Sequence, residues 1–237
     1  SRGLGDVYKR QVVQYTASMI LLCGTLIVFA QLNYMRRQSL GVRTDRILVV
    51  KFPGPTEGMK IKMEAMRKAI RKLPLVSKVT CSGSVPGEEV AMFLSNRRTH
   101  DALKQNRLYE MLSCDPDYMD AYGLELVAGR GFSEDYGDDV NKLVINETAA
   151  RTLGYTDYES VIGEEISVET IEEPMQVIGV VKDYHQQALN RNYTPIMLFH
   201  KDKIDWIPQR YISIVMKPGD SLAVSYTHLR AHETPEH

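Results

Sequence analysis

The sequence predicts an α+β fold: one membrane-spanning helix followed by a globular domain of mixed strands and helices. Three observations carry this. Residues 12–32 (VVQYTASMILLCGTLIVFAQL) hold no formal charge, and at about 1.5 Å per residue they cover the ~30 Å hydrocarbon core of a bilayer. A strand, an amphipathic helix and a second strand then follow in close succession over 47–81. Further on, segments rich in β-branched and aromatic residues outnumber helical ones, in irregular order.

The apolar run is followed by Gln31-Leu32-Asn33-Tyr34 rather than a small-x-small cleavage site, which favours a membrane span over a secretory signal. Ala17 and Gly24 share a helical face, with Thr16 and Ser18 nearby, a stripe on which another helix can pack closely. Helix is expected to extend to about residue 40, where Gly41 suits a C-terminal cap. A strand is predicted over 47–52, ended by Pro53-Gly54-Pro55. Thr56 can cap a helix over 57–73, whose Met59, Met63, Met66, Ile70 and Leu73 form one core-facing stripe before Pro74 stops it. A second strand follows at 76–81. Beyond it, strands are predicted at 107–113, 124–128, 142–145, 162–168, 175–181, 195–199 and 211–216, with short helices at 115–121 and 147–153.

Formal net charge is −1 over 237 residues, so charge offers no reason to propose a nucleic-acid partner. About 180 residues follow the span, enough for one or two domains with a core. The two ends, 1–11 (SRGLGDVYKRQ) and 225–237 (SYTHLRAHETPEH), resemble translated sequencing-adapter read-through. They are expected to be foreign to the fold, and the chain to be a piece of a longer one. Arg36, Arg37, Arg43 and Arg46 follow the span directly, and by the positive-inside rule they would put that flank in the cytoplasm.

Several residues could carry chemistry, and each has a plainer reading. Cys81 and Cys114 could pair in an oxidising compartment, although two buried thiols are preferred; Cys23 lies in the span. No G-x-x-x-x-G-K-[ST] occurs, so ATP hydrolysis is expected on another chain. Ser84 sits in Ser82-Gly83-Ser84-Val85-Pro86, which fails the G-x-S-x-G pattern at both glycines. Asp183 and His185 would share one face of a strand, where a base and its orienting partner could sit, but a structural turn is favoured. Glu134, Asp135, Asp138 and Asp139 around Gly137 lack the ligand spacing of an EF-hand and read as a solvated loop. Arg130 after Gly129 is expected to lock its turn by pairing with a carboxylate. Met92 and Phe93, in the irregular 84–110 segment, are candidates for contact with a partner. No catalytic, cofactor-binding or metal-binding residue is assigned.

Several elements follow one another in order along the chain. The apolar helix leads through Gln38-Ser39-Leu40-Gly41-Val42 and Asp45 to Ile47-Leu48-Val49. Ser84-Val85-Pro86-Gly87 forms a short S-x-P-G element. Asp117-Tyr118-Met119, Gly123-Leu124-Glu125-Leu126, Ala128-Gly129-Arg130 and Phe132-Ser133 come next. Val144-Ile145-Asn146-Glu147-Thr148-Ala149-Ala150, Gly163, and Val177-Ile178-Gly179-Val180-Val181-Lys182-Asp183-Tyr184-His185 with Pro195 complete the series. In this order they resemble FtsX-like permeases with a MacB-like periplasmic core domain. Tyr184 stands where Phe is usual, and 88–107 match nothing in the pattern.

The resemblance implies a non-catalytic, multi-pass permease of the bacterial inner membrane with its soluble domain in the periplasm. It implies a cytoplasmic ABC ATPase subunit, a second permease copy, a periplasmic adaptor protein and membrane lipid as partners. It also implies a domain over 45–224, with a membrane-proximal strand–helix–strand subdomain (about 45–82 and 172–224) and an inserted one (about 83–171). The alternative reading is a single-span receptor with an extracytoplasmic ligand-sensing domain; a membrane-anchored enzyme is disfavoured by the failed motifs.

Overall fold

A computed structural model describes residues 2–37, 40–53, 58–90, 92–100, 105–137, 139–187, 191–203 and 209–218. The chain divides into two units, 1–39 and 40–237.

The first unit is one helix, α1 (Arg2–Arg37). Within it Val7–Tyr34 is apolar enough to cross a membrane, with a mean hydropathy of 1.9. None of the apolar window of this span is buried, and Leu21 and Ile27 are among its exposed side chains, as a helix meant for lipid requires. Thr16 and Thr25 return their hydroxyl hydrogens to the carbonyls of Val12 and Leu21 (both 2.8 Å), so neither hydroxyl stays unpaired in an apolar medium. The span was expected at 12–32; the helix is longer at its start because Val7 and Tyr8 extend the apolar stretch, and backbone bonding continues through Lys9 and Arg10.

Among its described residues the second unit holds ten strands and three further α-helices. A small module comes first and last in sequence: β1 (Ile47–Lys51), α2 (Met59–Ile70), β2 (Val76–Ser82) and β10 (Tyr211–Met216). β10 lies between β1 and β2, antiparallel to both. Met63 of α2 closes over Val76, Val79, Cys81, Ile212, Ile214 and Met216. Of the expected stripe, Met59, Met63 and Ile70 pack on this core, whereas Met66 and Leu73 are exposed, and Arg67 is the other helix residue that is buried. Gly58 precedes α2 with φ 76°; the expected Thr56 cap lies outside the described residues.

Between β2 and β10 the chain builds β3 (Phe93–Arg98), β4 (Arg107–Cys114), α3 (Tyr118–Tyr122), β5 (Leu126–Gly129), β6 (Lys142–Asn146), α4 (Glu147–Thr152), β7 (Glu165–Val168), β8 (Met175–Val181) and β9 (Ile196–His200). β4 pairs with β3, β3 with β7, β7 with β8, β8 with β6, β6 with β9, and β9 with β4 again. The six strands therefore close into a barrel. Residues of period two point inward: Leu94, Tyr109, Met111, Leu143, Ile145, Ile166, Met175, Val177, Met197 and Phe199 share one core. Their neighbours Leu112, Cys114, Val144, Ile178, Ile196 and Leu198 face outward into a second core, covered by Tyr118, Met119 and Tyr122 of α3 and by Tyr184. β5 extends the β7 edge of β8.

Two expectations change. Residues 88–107 were unassigned, yet β3 lies there, with Asn96 as a wholly buried inward residue whose amide donates to the sulfurs of Met111 (3.2 Å) and Met197 (3.3 Å). A polar residue at a core position hides the alternation that marks a strand. The boundary expected near residue 171 also moves: β8 and β9 pair with barrel strands, so the insertion runs through β9. Both strands are buried on their two faces, and only the barrel, with a core inside and another outside, can cover both.

Candidate functional site

The small module and the barrel meet along a narrow seam, and this seam is the candidate site. β2 and β4 share a single pairing, Ser82 with Cys114, and β2 ends beside the start of β10, where Arg210 donates its N–H to the Ser82 carbonyl (2.9 Å). Both ends of the inserted barrel therefore emerge side by side.

Asp115, at the end of β4, is wholly buried in the seam. Its carboxylate accepts from the Thr80 hydroxyl, from the Cys81 N–H (2.8 Å) and from Arg67 of α2 (3.5 Å). Arg67 also reaches Glu64 (3.2 Å) and Asp117 (3.8 Å), which Arg71 approaches at 3.8 Å. Burial pushes the Asp115 carboxyl up to about 6, against the pull of Thr80, Cys81 and Arg67. On the far side of the seam, the hydroxyls of Tyr122 on α3 and Ser213 on β10 lie 2.7 Å apart, both buried. The seam thus combines few backbone bonds with a buried ionic and hydroxyl network, whose members depend on one another for compensation.

The residues singled out from sequence take structural roles. Ser84 is buried, and its hydroxyl donates to the Glu89 carbonyl (3.2 Å) while Gln186 donates to it (3.3 Å). Gln186 also holds the carbonyls of Val85 (2.8 Å) and Glu88 (3.1 Å) and accepts the Gly87 N–H (2.8 Å). The S-x-P-G element is therefore a loop fastened to the segment after β8. Asp183 accepts from the N–H (2.9 Å) and hydroxyl (2.8 Å) of Thr148 and from Arg151 (2.5 Å), tying β8 to the first turn of α4. The His185 ring lies against Tyr193, with centroids 4.5 Å apart, so Asp183 and His185 engage different partners.

Arg130 makes two bonds to Asp139 (2.6 and 2.8 Å), which also accepts the Ser133 N–H (2.8 Å). Its guanidinium stacks on Tyr136 at 4.2 Å. One of the four acidic loop residues is thus spent on a turn lock, and Asp138 lies outside the described residues. Among the described residues no cluster of His, Cys, Asp and Glu is arranged to hold a metal ion. Cys81 and Cys114 are free and buried, their thiols pushed up by burial, Cys81 to about 12. Phe93 is exposed, whereas Met92 packs against the barrel core. Sequence reading missed Asp115 and Arg67; a lone aspartate before proline and a basic residue on a core stripe were the only signals.

The glycines of the motifs mark a close approach. Gly129 (φ 67°) and Gly179 are paired across β5 and β8. A Cβ on Gly179 would drive into the Arg130 carbonyl, and one on Gly129 into the Ile178 carbonyl.

Comparison with known proteins gives this arrangement its family. The family described as MacB-like periplasmic core domain matches residues 17–230. A search of curated proteins found no match. Among solved structures, the chain is similar to the periplasmic region of MacB from Actinobacillus actinomycetemcomitans (17% identity, 81% of this chain and 84% of that one, TM-score 0.53). It is also similar to a domain of a putative permease protein from Porphyromonas gingivalis (20%, 80% and 85%, TM-score 0.51). A third likeness is to the extracellular domain of the noncanonic ABC-type transporter YknZ from Gram-positive bacteria (17%, 79% and 95%, TM-score 0.51). At these identities the structures speak for the fold, and the family match over most of the chain speaks for descent: the chain belongs to the family of MacB-like periplasmic core domains, the periplasmic part of MacB/FtsX-like ABC-transporter permeases.

Proposed function

We propose that this chain is part of a multi-pass permease of the bacterial inner membrane. In this reading its periplasmic domain is moved by a cytoplasmic ATPase to drive export or other extracytoplasmic mechanical work. The observation that carries the reading is a membrane-length apolar helix, Val7–Tyr34, followed by a separate compact unit from Leu40, with the family match running over 17–230 and so across both. The chain itself is non-catalytic; nucleotide hydrolysis belongs to a separate subunit, in keeping with the lack of a phosphate-binding loop in the sequence. A second permease copy and a periplasmic adaptor are the expected further partners.

The fold suits transmission of movement. The chain bonds the segment after β8 at Leu40 and α3 at Arg43 before it enters the small module at β1. The barrel joins that module through two adjacent strand ends, the Arg67–Asp115 seam and the outer core against which Ile47, Tyr211 and Val215 pack. A displacement of β1 and β10 swings the barrel as a body, since a closed sheet has no free edge along which to shear.

The test is purification of the full-length gene product from its own membrane, followed by measurement of nucleotide-driven movement. An ABC ATPase subunit is expected to co-purify. Spin labels placed at Tyr136→Cys in the barrel are expected to change their separation between copies on nucleotide trapping. Co-purification with a signalling module, or unchanged distances in an ATP-hydrolysing complex, would overturn the reading.

A further inference from the structure

The small module has two ends, and its topology distinguishes them. β1 starts, β10 finishes and β2 begins at the same end: Ile47 pairs with Val215, and Val76 with Met216. Met216 donates its N–H to the Arg46 carbonyl (2.9 Å), Lys217 donates its own to Leu75 (3.0 Å), and the Lys217 ammonium bonds the Pro74 carbonyl (2.7 Å). The last turn of α2, the exit of β10 and the entry to β1 therefore form one surface. Chain coming from α1 arrives there ten residue steps after Arg37, having bonded His185 at Leu40 and Tyr122 at Arg43 on the way.

That surface is basic. Arg46, Lys68, Arg71, Lys72 and Lys217 are all exposed on it, with Asp45 as the exposed carboxylate beside them. Arg46 and Lys72 make no ion pair among the described residues, while Lys68 and Arg71 approach Glu64 and Asp117 only at 3.8 Å and stay 72% and 58% exposed. Leu73 stands among these cations with 39% of its surface open, although its spacing assigns it to the apolar stripe of the helix. Arg46 has a left-handed backbone (φ 61°), a conformation that a non-glycine residue adopts rarely, one residue before the entry to β1.

We propose that this end of the small module docks on anionic phospholipid headgroups of the membrane that α1 crosses, with Arg46, Lys72 and Lys217 over the phosphates and Leu73 in the interface. The proposal rests on α1 being a membrane span. Charge complementarity and the short tether choose the occupant: long basic stems lie along an apolar boundary while their heads reach phosphate. The same contact gives Arg46, one of the arginines that follow the span, a role as a local anchor for the domain on the periplasmic side, although the positive-inside rule would put that flank in the cytoplasm.

The test uses the full chain in nanodiscs of phosphatidylcholine alone or with about one quarter phosphatidylglycerol, footprinted with an amine-reactive reagent and read by mass spectrometry. Labelling of Lys72 and Lys217 is expected to fall about fivefold or more in the anionic discs, one basic contact with anionic lipid being worth about that factor. Lys182, on the barrel, serves as the unaffected reference. About 0.5 M salt is expected to restore labelling, as is the Lys68→Glu/Arg71→Glu/Lys72→Glu variant, read at Lys217. Equal labelling in both discs at low salt overturns the proposal, and so does shielding that ignores lipid charge, which would mark a protein neighbour. Failure of the chain to enter discs at all would instead overturn the membrane-span reading on which the proposal rests.

Discussion

Asp115 sits out of solvent between two parts of the domain, and its ionisation couples folding to pH. Burial raises its carboxyl to about 6, whereas in the unfolded chain it titrates near the ordinary value of about 4. The folded state therefore holds the proton to higher pH. Stability from this group is fully present below about pH 4 and lost as pH rises through about 6, a change of about 3 kcal/mol. Glu64, Asp139 and Asp202 are shifted downward and carry the opposite slope. Comparison with Asp115→Asn cancels them: between pH 4 and pH 7 the wild type is expected to lose stability relative to the variant. Melting curves at both pH values check this, and parallel curves would refute it. Asp115→Ala should be the harsher change, about 3 kcal/mol, because Arg67 then loses a buried counter-charge.

Elements of this fold are joined by residues that look unremarkable in sequence. Asn146 caps α4 by accepting the Ala149 N–H (2.9 Å), accepts the Ile196 N–H of β9 (2.9 Å) and donates to the Thr194 carbonyl (2.8 Å). It is wholly buried, so Asn146→Ala leaves three backbone groups with no partner and is expected to cost about 2–4 kcal/mol, read as a lowered urea midpoint. Gly179→Ala forces β5 away from β8 and is expected to cost about 2–3 kcal/mol, with an unchanged m-value if only packing is lost. The elements themselves were largely legible: β8 and β10 match their predicted spans, and α2, β2 and β6 lie within a residue or a few of theirs. β3 was not legible, because Phe93-Leu94-Ser95-Asn96-Arg97-Arg98 has one aliphatic inward residue, and at the other inward position a polar side chain donates its amide hydrogens to methionine sulfurs from distant strands.

At the scale of the whole molecule, the three cores lie wholly within the second unit. Removal of residues 1–39 is therefore expected to leave a folded, water-soluble domain whose melting temperature stays within a few degrees of that of the full chain in detergent. Circular dichroism and calorimetry check this, and a molten spectrum for the shortened chain would show that α1 contributes to the core.

Sequence alone determined what depends on neighbours along the chain: the apolar length of α1, the stripe of α2, the alternation of the stronger strands, and the ordered glycine and Asp motifs that carry the family resemblance. Tertiary structure alone decided which strands share a sheet. The barrel closes through β4 and β9, and Asp115 meets Arg67 across 48 positions of sequence. No local pattern encodes such a meeting, since side-chain periodicity specifies which face is apolar and leaves open which other face will cover it.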